Sequence, residues 1–199
     1  ALNRTWCPFF FEEMKEGKQM AMMEKTRNFL ELFTILACGF ILLTPEVYHV
    51  YASREYWSST MVIPLFVASY YLNFLCTFPV NFEYYHKKTK VVAAVTISSS
   101  LLNVALNYVL IHAIGMPGAA LATALAHGVQ LCMHHFYCKK LGKGSYPFPV
   151  KVWTKYAVFF FGVMAFVYIT RNSWLLRWGV GALLGIFELL QIKKRKVLI

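Results

Sequence analysis

The sequence predicts an all-α fold, a polytopic bundle of transmembrane helices, and three observations carry that prediction. The 199 residues are 58% hydrophobic and only 15% charged, with a mean hydropathy of +0.50, where a soluble domain carries more charge and breaks its apolar runs sooner. Several windows stay apolar for about 18–22 residues, enough for a helix to cross the roughly 30 Å hydrocarbon core of a bilayer. The connections between those windows alternate between basic and nearly neutral, the pattern of the positive-inside rule.

In chain order, residues 1–12 read as the end of a helix that begins upstream. The chain starts at Ala1 without a methionine, no signal-peptide pattern precedes the first apolar run, and the expectation is a C-terminal part of a longer protein. That helix runs into EEMKEGKQMAMMEKTR, which holds Lys15, Lys18, Lys25 and Arg27. A span over about 27–46 leads to EVYHVYASREYWSS, whose one basic residue among Lys and Arg is Arg54. A second, over about 59–80, ends at EYYHKKTK with Lys87, Lys88 and Lys90. The third and fourth, about 90–113 and 117–138, are joined by the uncharged IGMPG, and CKKLGKGSYPFPVK follows with Lys139, Lys140, Lys143 and Lys151. The fifth and sixth, about 152–170 and 173–191, meet near Arg171, and the tail KKRK closes the chain. The alternation expects six full spans in one transmembrane domain covering 1–199, a cytoplasmic C-terminus and a place in the cell's cytoplasmic membrane. Trp6, Trp57, Trp153, Trp174 and Trp178 mostly fall near expected span ends, where aromatic belts lie.

The net charge is +11, with twenty Lys and Arg against nine acidic residues, all of them Glu. Such a charge raises nucleic acid as a partner. In a membrane chain the same residues mark cytoplasmic loops and touch anionic lipid headgroups, so membrane lipids and no nucleic acid are the expected partners. Cys7, Cys38, Cys76, Cys132 and Cys138 lie in or beside apolar segments without a CxxC pair. That odd count suggests buried thiols rather than a disulfide framework.

Two stripes stand out in NVALNYVLIHAIGMPGAALATALAHG. Thr96, Ser99 or Ser100, Asn103 and Asn107 recur at steps of three and four, hence on one helical face. Lipid cannot satisfy an asparagine amide, so that face looks at other helices or at a water-filled cavity. It serves either interhelical hydrogen bonding or a polar substrate. After the turn, Gly118, Ala122 and Ala126 form a small-xxx-small ridge that lets two backbones approach closely. Gly115 suits the end of the first arm and Pro117 the first turn of the second, which makes the stretch a tight transmembrane hairpin.

LNVALNYVLIHAIGMPGAALAT resembles the LN-x-x-LN-x-x-LI…G-x-x-GAA-x-AT hairpin of polysaccharide flippases, the Wzx-type branch of the multidrug/oligosaccharidyl-lipid/polysaccharide exporter superfamily. NRTWCPFFFEEMKEG is similar to the helix end of that family in which a proline-aromatic segment enters a basic loop, and FEYYHKKTK to the short loop before the Asn-rich helix. Order and spacing of the three match across most of the chain. The resemblance implies a two-lobed transporter of twelve to fourteen helices, with this chain as most of its C-terminal lobe and the N-terminal lobe as its partner. Its substrate would be a polyprenyl-pyrophosphate-linked oligosaccharide, carried across the cytoplasmic membrane for cell-surface polysaccharide synthesis through a cationic cavity. No cofactor is implied.

Ionisable residues within spans are the default functional candidates, because each is costly unless it faces water or a partner. Arg4 lies eight residues before Glu12, about 12 Å along the helix at 1.5 Å per residue. It suits bidentate binding of a pyrophosphate or sugar, or pairing with a carboxylate of the other lobe. With Arg4, Asn103 and Asn107 are the expected cavity residues, and Asn3 and Ser99 join them. Glu31 and His127 are coupling candidates; the alternatives are an ion pair of Glu31 with Arg27 or Lys25, and a hydrogen bond of His127 across the hairpin. Glu188, one turn before KKRK, is a further acid that could carry a coupling proton, with an interfacial ion pair as the alternative, and Arg177 and Lys155 lie near enough to span ends to snorkel. Cys132, His135 and Cys138 follow at steps of three, but the outer two stand about 9 Å apart along the axis and no fourth ligand is near, so no metal site is expected.

An enzyme of polysaccharide assembly is the contrasting class. The chain has no Asp for an Asp-x-Asp or H-x-x-x-x-D site, no serine with a spaced base, and only short loops. The expectation is a transporter and not an enzyme, with a multidrug or lipid II exporter as the alternative.

Overall fold

The computed structural model describes residues 2–142, 146–148 and 150–195, and their side chains except at 2–5, 19, 58, 150 and 193–195. Among the described residues every long regular element is an α-helix: α1 (Leu2–Lys15), α2 (Gln19–Tyr51), α3 (Ile63–Tyr85), α4 (Thr89–Ile114), α5 (Met116–Gly142), α6 (Val150–Ile169) and α7 (Trp174–Arg195). A 3-10 segment, Arg54–Val62, leads into α3. The chain is all-helical, as expected. Five stretches are long and apolar enough to cross a membrane: Met20–Tyr51, Ser59–Tyr85, Thr89–Ile114, Lys151–Ile169 and Trp174–Ile192. The 27 residues of α5 give it the length, about 40 Å, but its alanines, glycines and three histidines leave it less apolar than the other five.

α5 needs less greasy surface because it is covered by protein. Its most extensive contacts are with α3 on one side and α4 on the other, while α2 packs chiefly on α6 and α7. Contacts between α2 and α3, with α1 across both, join the two groups. The core at that junction is aromatic. Phe33 stacks on Phe74 at 3.7 Å between centroids and Tyr71 on Phe160 at 4.2 Å, and Phe78 meets Trp6, Phe29, Phe148 and Trp153. Trp6 and Trp153 are thus buried in the core and not in an interfacial belt. Trp57, Trp174 and Trp178 are exposed. Half of the α3 span window is buried against 11% for α4 and for α7, so α3 is the central helix and α4 and α7 present most of their apolar surface outward.

Two connections use the same device. Gly17, at φ +69°, follows α1; the Lys18 amide donates to the Glu13 carbonyl and that of Gly17 to Met14. After α3, Lys87 sits at φ +57°, Lys88 donates to the Glu83 carbonyl and Lys87 to Tyr84. Both are Schellman closures, which satisfy the last carbonyls of a helix through one left-handed residue.

Candidate functional site

The α4–α5 hairpin turns on Gly115. Its φ of +67° with ψ of −144° lies in a region that only glycine enters without strain. Three residues later the backbones touch: a Cβ on Gly118 would stand 2.2 Å from the Leu110 carbonyl oxygen. Ala122 and Ala126 continue the contact, fully buried. Along it runs a polar seam. Ser99 donates to the Ala126 carbonyl at 2.9 Å, Asn103 Nδ2 reaches Thr123 Oγ1 at 3.3 Å, and Asn107 Nδ2 donates to Asn103 Oδ1 at 2.9 Å. Ser98 and Ser100 are exposed and bond carbonyls of their own helix. The structure therefore brings Ser99, Asn103 and Asn107 together with Thr123, and gives each a protein partner. Arg4 and Asn3 lie on α1, with side chains outside the described residues.

His127 does not bond across the hairpin. Its Nδ1 is 2.9 Å from the Ser69 carbonyl of α3, and a carbonyl only accepts, so Nδ1 carries the proton. Ser69 returns the contact by donating to the Ala120 carbonyl at 3.2 Å. Glu31 lies between α2 and α6, where the Tyr156 hydroxyl donates to it at 2.8 Å. Lys25, one of its expected basic partners, bonds Glu13 of α1 instead. Glu31, Thr34, Lys155 and Tyr156 line a cavity of about 330 Å³ that α7 closes with Leu184 and Phe187.

Arg177 is a correction to the expectation of snorkelling, since it is buried. Arg177 points inward, donates to the carbonyls of Thr170 and Arg171 at 2.7 and 2.6 Å, and pairs with Glu46 of α2. One guanidinium thus caps the end of α6 and ties α7 to α2.

A further ionisable group was not singled out in the sequence. Glu83 and His134 are both fully buried, with His134 Nδ1 2.9 Å from Glu83 Oε1. The Cys138 sulfur lies 3.4 Å from the same oxygen and 3.3 Å from the Pro79 carbonyl, two acceptors that share its one thiol proton. Among the described residues Glu83 Oε2 and His134 Nε2 have no hydrogen-bond partner, nor has the Tyr146 hydroxyl beside them. Burial, and behind it the neighbouring Cys138 and Glu83, hold the Tyr146 phenol well above its usual range. In sequence Glu83 opens the EYYHKKTK loop and reads as a loop residue; helix α3 continues through it to Tyr85. The spacing His134-x-x-x-Cys138, which puts both on one face, was the available signal. Cys132, by contrast, is exposed, which separates it from His135 and Cys138.

The chain matches no known family profile, no characterised protein and no solved structure.

Proposed function

We propose that this chain is the C-terminal lobe of a lipid-linked oligosaccharide flippase, which moves a polyprenyl-pyrophosphate-linked glycan across the cytoplasmic membrane for surface polysaccharide assembly. The observation that carries the reading is the α4–α5 hairpin. The residues on which the resemblance rests, Asn103, Asn107, Gly115 and Gly118, form its polar seam, its turn and its closest backbone approach. A rigid hairpin of this kind suits a lobe that rocks as a unit around a central cavity. Arg4 is the proposed substrate contact, and the basic ends of the bundle face the cytoplasm. No covalent chemistry is implied.

In the complete protein, Arg4→Ala lowers glycan export by about tenfold, the scale of one lost charge-assisted hydrogen bond of roughly 1.5 kcal/mol, at an unchanged membrane level of the protein. Normal export at normal level removes Arg4 from the mechanism.

A cation-coupled multidrug exporter is the second reading, and Glu83 favours it: such exporters use intramembrane acids, and this one is buried. Resistance to organic cations conferred by the intact protein, without glycan export, selects that reading over the first.

A further inference from the structure

From the buried cluster of Glu83, His134 and Cys138, we infer that His134 binds an exchangeable proton on Nε2, so that the centre of the α3–α5 interface switches between one negative charge and none. Glu83 Oε1 receives both the His134 Nδ1 contact and the Cys138 thiol. With Glu83 ionised, its carboxylate only accepts, so a neutral His134 imidazole carries its proton on Nδ1. Nε2 is then a free acceptor, and it has no partner in a fully buried setting. In this form the cluster holds a single uncompensated negative charge, the most costly arrangement inside a membrane bundle. One proton on Nε2 converts it to an imidazolium–carboxylate pair with no net charge and a charge-assisted hydrogen bond.

The surroundings leave that exchange to these residues. Tyr146, in the α5–α6 connection, faces Glu83 and Cys138 as a neutral phenol. His135 and Lys139 are neighbours on α5, and His86 turns its Nδ1 to the Phe82 carbonyl at the end of α3. On α1 and α2, Glu13 and Lys25 are paired with each other. Lys90 of α4 and Lys151 of α6 are exposed. Among the described residues the ion-pairing partner of Glu83 is His134, which supplies a counter-charge when protonated. A cleft of about 620 Å³ between α2 and α6 is lined by Phe148 and Trp153, and those rings pack on Tyr146 and His135 and stand between the cleft and the cluster.

As the coupling site of a transporter this rests on the proposed function; as a proton-binding site it does not. His134–His135 is the one His–His pair in the sequence, so the His134 signals are assigned without substitution in the full chain labelled with 15N and 13C histidine. The measurement is the His134 ring nitrogens by NMR in lipid or detergent, from about pH 5 to about pH 9. The expected result is a change from a doubly to a singly protonated ring as pH rises, with the midpoint displaced in Glu83→Gln, which removes the facing carboxylate. A ring held in one charge state throughout, or a midpoint unmoved by Glu83→Gln, overturns the inference. The wild-type titration alone decides if the Glu83→Gln chain does not fold. Loss of glycan transport with the titration intact counts against the flippase reading only; a ring that does not titrate counts against the proton site only.

Discussion

A single methyl group at Gly118 would sit 2.2 Å from the Leu110 carbonyl oxygen, and backbone cannot turn aside as a side chain can. Gly118→Ala therefore forces the hairpin arms apart. It costs at least about 1–3 kcal/mol, the range of overpacked sites, read as a lower melting temperature in detergent; an unchanged melting temperature contradicts the close approach. Arg177 makes the opposite case, where removal is the damage. Breaking a buried ion pair costs about 3–5 kcal/mol, and the Glu46 side chain is 26% exposed, so Arg177→Gln belongs at the lower end. Glu46→Gln, which leaves the two carbonyl contacts of Arg177 in place, costs less. Equal losses for the two variants would show that the carbonyl caps contribute nothing. Single residues were also where sequence reading reached least far. Gly118 was legible because small residues at a step of four mean contact whatever the partner. Arg177 was read by its distance from a span end and Glu83 as part of a loop, and the partners that meet them, His134 for Glu83 and Glu46 for Arg177, are remote in sequence.

The helices themselves were legible to within a few residues along most of the chain, because apolar length and basic punctuation are local signals. The third and fourth expected spans became Thr89–Ile114 and Met116–Gly142. The largest difference is α2, expected over about 27–46 and helical over Gln19–Tyr51; polar residues at a span end stop hydropathy but not helix propensity. Tryptophan position misled for a related reason, since Trp6 and Trp153 near helix ends are drawn into an aromatic core. Two predictions belong at this scale. Lys87 holds a left-handed conformation at φ +57°, which costs a side-chain residue about 1–2 kcal/mol. Lys87→Gly relieves it and, after the added freedom of the unfolded chain, stabilises by about 0.5 kcal/mol; destabilisation in thermal unfolding would speak against the Schellman closure. In the seam, Asn107 donates to Asn103 and Asn103 to Thr123, so at about 0.6 kcal/mol per membrane hydrogen bond Asn107→Leu costs roughly that and Asn103→Leu, which loses both, about twice as much. The double variant costs less than their sum, because both lose the same bond. Strict additivity would mean that the two amides act separately.

For the whole molecule, α3 carries contacts to both helix groups, and the polar groups follow the same plan: the Asn seam lies between α4 and α5, the Glu83 cluster between α3 and α5, and Arg177 between α7 and α2. Membrane class and helical architecture were legible because the bilayer as solvent leaves few options. Which polar residues meet was not, since it depends on how helices far apart in sequence are brought side by side. The proposed transport, its substrate and its direction rest on the resemblance of the hairpin and its flanking loops. The most direct test is to reconstitute the complete protein in lipid vesicles with a polyprenyl-pyrophosphate oligosaccharide confined to one leaflet, and to follow the glycan's accessibility to a membrane-impermeant lectin. The account predicts that vesicles holding the protein move the glycan to the opposite leaflet while protein-free vesicles do not. Equal retention in both, with the protein folded and inserted, contradicts it.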